Sequence, residues 1–345
     1  MKQIKKLLRE NIKSLVKYSS AREEFSDNAA IFLDANENPF NNGLNRYPDP
    51  MQRELKKQIE LIKGISAENI LLGNGSDEVL DIVIRAFCEP GKDNMIITPP
   101  TYGMYKVIAD VNNVEVREAF LNKDFNLNVK KIEKLKDENT KLIILCSPNN
   151  PTGNSFNKKD IEYLLRTLNC VLLIDEAYID FSDEESLIKL LDKYPNLIVS
   201  QTLSKAWGLA AIRLGICFAS AYLISVFNKI KAPYNVNLLS QTKAMETLSN
   251  IEMFNKNLIK IKKEKIRLKE KLILLPFVEK IFPSDANFLL IKVTNAKKLY
   301  EYLINNGIVV RDRSKMYGCK NCLRISIGTP GENKKLISTI KKYKL

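Results

Sequence analysis

A lysine in a turn of small and hydroxyl-bearing residues, Ser204-Lys205-Ala206-Trp207-Gly208, is followed eight positions later by Arg213, and apolar sequence flanks both. Among apolar neighbours an ε-amine loses proton affinity and becomes a nucleophile able to form a Schiff base with a carbonyl cofactor. Arg213 offers a permanent cation for an anionic group on that cofactor. Asp175 follows the apolar run Val171-Leu172-Leu173-Ile174, so its carboxylate is expected to be partly buried and to need a partner. A protonated ring nitrogen is one such partner, because a carboxylate beside it makes the ring an electron sink. Taken alone, Asp175 reads equally as a strand-end carboxylate satisfied by its own neighbours. Tyr178 and Asn150 can bond a phenolic oxygen beside the imine, and Tyr102 can stack on the ring face. The backbone at Ser76-Asp77, the Ser204 hydroxyl and Arg213 can hold a phosphate, with the Asp77 and Glu78 side chains turned away.

These residues sit where strands are expected to end. Apolar runs at 70–72, 94–98, 142–146, 171–174 and 197–203 alternate with helical stretches, the pattern of parallel βα units in a doubly wound sheet. Ligands of such sheets collect at the carboxyl ends of the strands, and each polar motif above lies there. Ser76 is expected to cap a helix running from Val79 through Phe87, an ordinary capped helix if no anion binds. Gly73-Asn74-Gly75 is not a dinucleotide fingerprint, because Glu78 stands where the third glycine belongs.

The rest of the chain is read around that sheet. Met1 to Val16 forms a basic amphipathic helix with Ile4, Leu7, Leu8, Ile12 and Leu15 on one stripe. Ile31-Phe32-Leu33 reads as a short strand, and Arg46-Tyr47-Pro48 as an extended loop whose tyrosine is exposed and able to reach a neighbour's site. One or two long helices cover 237–275 and end at Pro276. Strands at 288–293 and 322–327 belong to a smaller α/β lobe carrying Arg311, Arg313 and Arg324. The expected division is an arm over 1–35 docking on the small domain and a partner, a large cofactor-binding domain over 36–236, and a linking helix with small domain over 237–345.

Composition narrows the chemistry. The 345 residues are 45% hydrophobic and 27% charged, as in an ordinary globular protein, with a formal net charge of +14. The charge is scattered, with a local excess over 256–271, and matches no nucleic-acid-binding motif, so no nucleic-acid or membrane partner is expected. The chain contains no histidine. Histidine-based triads, relays and metal sites are therefore excluded, and protons must move through lysine, tyrosine, carboxylates or cysteine. Cys88, Cys146, Cys170, Cys217, Cys319 and Cys322 form no disulfide framework, and the one C-x-x-C lacks a second pair for zinc, so no metal is expected. A cytoplasmic location fits best.

Asn36-Glu37-Asn38-Pro39, Arg46-Tyr47-Pro48, Asn150-Pro151-Thr152-Gly153, Asp175-Glu176-Ala177-Tyr178, Ser204-Lys205, Arg213 and Leu323-Arg324 together resemble the fold type I pyridoxal 5'-phosphate-dependent aminotransferases, class II, in the branch that takes histidinol phosphate. The resemblance spans almost the whole chain. It implies Lys205 as Schiff-base lysine and general base, and Asp175, Tyr178, Asn150, Tyr102, Ser76, Asp77, Ser204 and Arg213 around the cofactor. It implies a homodimer in which Tyr47 reaches the partner's cofactor phosphate, and a substrate site of Tyr18, Asn38, Arg311 and Arg324. The implied substrates are L-histidinol phosphate and 2-oxoglutarate, exchanging an amino group in a ping-pong cycle. Aromatic amino acid transamination and threonine-phosphate decarboxylation keep the same fold and cofactor as alternatives; a basic, non-catalytic binding protein is the rival from another class. Ala211 departs from the family pattern, which has glycine there, and adds one methyl in a tight bend.

Overall fold

The five apolar runs pair with two further strands into one seven-stranded sheet. A computed structural model describes residues 2–18 and 31–344. The strands are β1 (Ile70–Asn74), β2 (Asn94–Ile97), β3 (Glu115–Glu118), β4 (Thr140–Cys146), β5 (Val171–Asp175), β6 (Leu197–Thr202) and β7 (Leu214–Phe218), in the order β1-β7-β6-β5-β4-β2-β3. The five strands from β3 to β6 pair in parallel, and β7 runs antiparallel to both its neighbours.

Alternation along the strands explains why both faces are covered. Ile143, Leu145, Leu172 and Ile174 face one apolar core, whereas Leu142, Ile144, Val171 and Leu173 face another. Each strand residue sends its side chain opposite to its neighbour's, so a run apolar at every position must be buried on both sides. Helices α4 (Ser76–Phe87), α5 (Met104–Val111) and α8 (Ala221–Ile230) cover the second face, while α3 (Arg53–Lys63), α6 (Val129–Leu135) and α7 (Lys158–Thr167) bury their apolar stripes in the first core. Helix α9 (Leu238–Leu248) packs on α3, and the 22-residue α10 (Ile251–Leu272) leads to a second sheet. That sheet is antiparallel, with β8 (Val278–Ile281), β9 (Phe288–Val293), β10 (Arg311–Asp312) and β11 (Cys322–Ser326) in the order β10-β11-β9-β8, covered by α11 (Ala296–Asn305) and α12 (Pro330–Ile340).

Four expectations are corrected. The N-terminal arm is two short helices, α1 (Lys2–Leu7) and α2 (Glu10–Lys13), broken at Arg9. The Arg9 N–H donates to the Ala86 carbonyl, and its guanidinium donates to the Arg85 carbonyl and to Glu89, so tertiary contacts at the end of α4 hold the break open. The described part of the arm therefore docks on the large sheet's helices, with Ile4, Leu7, Leu8 and Ile12 in their core, and not on the small domain. Ile31-Phe32-Leu33 pairs with no strand among the described residues, and Ile31 and Leu33 are exposed. Gly75, not Ser76, is the N-cap of α4, and Ser76 is its first residue.

Among the described residues no helix is long and apolar enough to cross a membrane, and no group of three or more metal-ligating side chains gathers. All six cysteines are free and buried.

Candidate active site

The carboxyl ends of β4, β5 and β6 open into a cavity of about 280 Å³, near the lower bound for ligand pockets. Its floor comes from the large sheet: Ser76 and Asp77 at the start of α4, Tyr102, Cys146, Asn150, Asp175, Tyr178, Thr202, Ser204, Lys205 and Arg213. The small sheet supplies a wall of Arg311, Arg313 and Arg324.

Asp175 ends β5 and is 4% exposed. Its Oδ2 accepts the Tyr105 hydroxyl at 2.5 Å and its Oδ1 accepts the Ala177 N–H at 3.1 Å. Burial raises its proton affinity, and these two hydrogen bonds oppose the rise. Its neighbour Glu176 points elsewhere, accepting from the Leu187 N–H at 2.7 Å and the Gln201 amide at 2.9 Å, and so anchors the strand end.

Lys205 keeps contact with solvent instead of being enclosed by apolar side chains, which corrects the expected setting. Its ammonium lies 5.8 Å from the centre of the Tyr178 ring. Desolvation in the cleft lowers its pKa, with the Arg324 charge adding to it and Asp175 opposing. Asn150 joins floor to wall: its amide donates to the Tyr178 hydroxyl at 3.4 Å, and its carbonyl oxygen accepts from Arg324 Nη1. Burial keeps the Tyr178 phenol protonated. The Tyr102 phenol is pushed up to about 12 by burial and the Asp77 charge.

Arg213 follows a 3-10 turn over 210–212 with φ of 52°, a left-handed backbone that side chains adopt at some cost. The neighbouring turn leaves no space to spare. A Cβ on Gly75 would stand 2.7 Å from Arg213 Nη2, and one on Gly215 would stand 2.5 Å from the Ser76 nitrogen. Two glycines thus let Arg213 and the backbone of α4 converge, as an anion cradle requires. Asp77 does not turn away as expected. It faces the cavity, with Oδ2 3.5 Å from Arg213 Nη2 and Oδ1 3.4 Å from the Tyr102 hydroxyl. Glu78 does turn away, accepting from the Asn74 N–H and from Asn235.

Tyr18, Asn38 and Tyr47 are not brought to this cavity. Tyr18 and Tyr47 are exposed; Asn38 accepts the Phe40 N–H in a local turn, and Tyr47 stacks on Tyr234 with ring centres 4.3 Å apart. Glu37 fixes that loop, pairing with Arg46 at 2.7 Å and accepting the Tyr47 N–H at 2.6 Å. Sequence reasoning missed Tyr105, Cys146, Thr202 and Arg313. For Arg313 there was a signal: Arg311-Asp312-Arg313 in extended chain puts both arginines on one face.

The residues present suit pyridoxal 5'-phosphate. A buried carboxylate with no ion-pair partner among the described residues suits a ring N–H⁺, an amine with lowered pKa faces the same cavity, and a glycine-built cradle with Arg213 suits a phosphate. Such a floor defines a pyridoxal-phosphate enzyme of fold type I. The class I and II aminotransferase model matches residues 24–340, and the chain belongs to that family. It is 54% identical over 341 residues to a histidinol-phosphate aminotransferase of Christiangramia forsetii, covering 98% of this chain and 97% of that one. Its fold is similar to the crystal structure of histidinol-phosphate aminotransferase from Clostridium acetobutylicum, with 26% identity, a TM-score of 0.79 and coverage of 86% and 90%. It is also similar in fold to the Sinorhizobium meliloti histidinol-phosphate aminotransferase solved in complex with pyridoxal-5'-phosphate, at 23% identity, a TM-score of 0.77 and coverage of 85% and 81%.

Proposed function

We propose that this chain transfers the amino group of L-histidinol phosphate to 2-oxoglutarate, giving imidazole acetol phosphate and glutamate, in histidine biosynthesis. The observation that carries the substrate class is the arginine wall. Arg311, Arg313 and Arg324 line one cavity, none of them forms an ion pair among the described residues, and the Nε atoms of Arg313 and Arg324 are buried without a hydrogen-bond partner. Three cations kept together at mutual expense suit a multiply charged anion. The name shared by the relatives supports the same reading.

When bound, pyridoxal phosphate supplies a carbonyl that captures amines and a ring that withdraws electrons from the substrate carbon. Asp175 would hold the proton on the ring nitrogen. Tyr178 and Asn150 would bond the phenolic oxygen, and Tyr102 would cover a ring face. The α4 backbone at Ser76-Asp77, Ser204 and Arg213 would hold the phosphate. The Lys205 amine would take the proton from the amine-bearing carbon of the substrate and return it to the cofactor carbon that captured the amine. Its lowered pKa favours the neutral form that a base needs, and no histidine competes. Arg311, Arg313 and Arg324 fix the substrate phosphate, and Arg324 takes a carboxylate of 2-oxoglutarate in the return half.

Tyr47 is exposed and lies away from its own chain's cavity, which supports a homodimer in which it serves the partner's site. We place the enzyme in the cytoplasm, where free thiols are maintained. The chain divides functionally into the arm over 1–35, a cofactor domain over 36–236, and the linking helices with the small domain over 237–345.

The deciding experiment is one half-reaction. The cofactor-loaded protein, without keto acid, is mixed with L-histidinol phosphate while the absorbance of the bound cofactor is followed. Rapid loss of the visible band, absent with phenylalanine or threonine phosphate, is expected. Loss with phenylalanine alone would move the assignment to aromatic amino acids, and carbon dioxide release from threonine phosphate would make it a decarboxylase.

A further inference from the structure

Tyr105 lies outside the motifs that carry the family resemblance. It sits in α5, fully buried, and its hydroxyl donates to Asp175 Oδ2 at 2.5 Å. Its ring edge also meets Tyr102, with centres 5.5 Å apart and planes at 84°. One residue therefore touches both a carboxylate at the floor of the cavity and the aromatic ring at its side.

The carboxylate has few other supports. Around it stand Asp77 from α4, Tyr102 from the loop before α5, Cys146 at the end of β4, Tyr178 beyond β5, and Lys205 beyond β6. Of these only Lys205 is a cation, and it forms no ion pair with Asp175; Asp77 carries a charge that repels. Among the described residues Tyr105 is the sole side chain that hydrogen-bonds Asp175. Burial and the Asp175 charge raise the phenol's pKa far beyond its ordinary value, so Tyr105 retains its proton and can only donate to the carboxylate. A protonated Asp175 would lose both this charge-assisted bond and its attraction for a ring N–H⁺.

We propose that Tyr105 is a positioning residue that keeps Asp175 ionised and aimed at the ring nitrogen of pyridoxal phosphate. The inference rests on the pyridoxal-phosphate reading of the site. In a chain without histidine, a phenol on α5 takes the task of steadying the ring's counter-ion.

The test measures cofactor affinity, not turnover. Apo protein is dialysed against pyridoxal phosphate from pH 6 to 9 as wild type, Tyr105→Phe, Asp175→Asn and the double variant. Phenylalanine keeps the ring and its contact with Tyr102 and removes only the donor. Losing a hydrogen bond to a charged group weakens binding roughly 10- to 150-fold. That loss is expected at the acid end for Tyr105→Phe. It should shrink as pH rises, because removing the donor raises the pKa of Asp175 and moves its deprotonation to higher pH. In the Asp175→Asn background the Tyr105 change should add little. Equal affinity of wild type and Tyr105→Phe at every pH would overturn the proposal, as would an equal loss with and without Asp175. A wild-type chain that takes up no pyridoxal phosphate would overturn the site reading itself. Should Tyr105→Phe fail to fold, 3-fluorotyrosine at position 105 makes a stronger donor and should extend tight binding to lower pH; an unmoved acid limit would refute the role.

Discussion

The floor and the wall of the cavity are built on opposite plans. On the floor most polar groups meet a partner: Asp175 accepts Tyr105, Asp77 lies 3.5 Å from Arg213, and Asn150 bonds Tyr178, while the Lys205 amine forms no ion pair among the described residues. On the wall Arg311, Arg313 and Arg324 lack carboxylate partners among the described residues, and burial together with their own repulsion lowers the pKa of Arg313 and Arg324. A surface with its hydrogen bonds largely satisfied suits a resident that stays through the cycle. A surface of uncompensated cations suits anions that come and go, because each arrival relieves a repulsion and each departure restores it. Arg324 spans the two, stacked 5.1 Å over the Phe288 ring and bonded to Asn150.

Removing the amine attacks the floor at its centre. Lys205→Ala should lower turnover at least about 10³-fold, since general-base transfer alone contributes 10²–10⁴. Single-turnover kinetics with L-histidinol phosphate measures it, and full turnover would refute the role of Lys205. Arg324→Gln comes next, with an expected loss of about 2–4 kcal/mol in kcat/KM for both substrates, or roughly 30- to 1000-fold, as for a truncated buried charge pair. It carries a second signature. After burial, Arg324 is the largest influence lowering the Lys205 pKa, so its removal raises the proton affinity of that amine. Uptake of pyridoxal phosphate by the apo chain needs the neutral amine, and its pH–rate profile should therefore move to higher pH. An unmoved profile would mean that floor and wall are electrically independent.

Arg313→Gln tests the wall alone. Arg313 is partly buried and, among the described residues, hydrogen-bonds no floor residue, so an effect of about 1–2 kcal/mol, roughly 5- to 30-fold, is expected in KM for histidinol phosphate with kcat nearly unchanged. Cofactor affinity should not move. A fall in kcat equal to the rise in KM would place Arg313 in the proton-transfer machinery and erase the distinction between the two surfaces.

The two surfaces also differ in how far they could be read from sequence. Floor residues such as Asp175, Asn150 and Lys205 follow apolar runs directly, because parallel strands put their polar punctuation at one edge of the sheet. Tyr105 was hidden because it occupies a buried position of an amphipathic helix, and its bond to Asp175 joins residues 70 apart in sequence. Among the strands, β4 and β5 were legible as apolar runs. Edge strand β3, Glu-Val-Arg-Glu, was not, since only one of its four residues is apolar and its pairing with β2 decides its state. Strand β7 was obscured by its antiparallel insertion between β1 and β6, which no βα periodicity signals. Tyr18, Asn38 and Tyr47 were assigned to the site only through the family resemblance, and the fold brings none of them to the cavity of their own chain.

The smallest effect is expected at Ala211, where the chain departs from the family pattern. Ala211 lies in the 3-10 turn that delivers Arg213 to the cradle, yet it is exposed in this chain and its backbone is not left-handed. Its methyl therefore fills no space that the cofactor phosphate or the glycine pair needs. Ala211→Gly should leave turnover and cofactor affinity within about twofold, and cost about 0.5–1 kcal/mol of apo stability through the added freedom of the unfolded chain. Thermal unfolding and cofactor titration check both parts. A change in cofactor affinity beyond about fivefold would show that the left-handed turn at Arg213 is tuned by the residue two positions before it, so that the floor, despite its paired charges, still depends on backbone strain held outside the cavity.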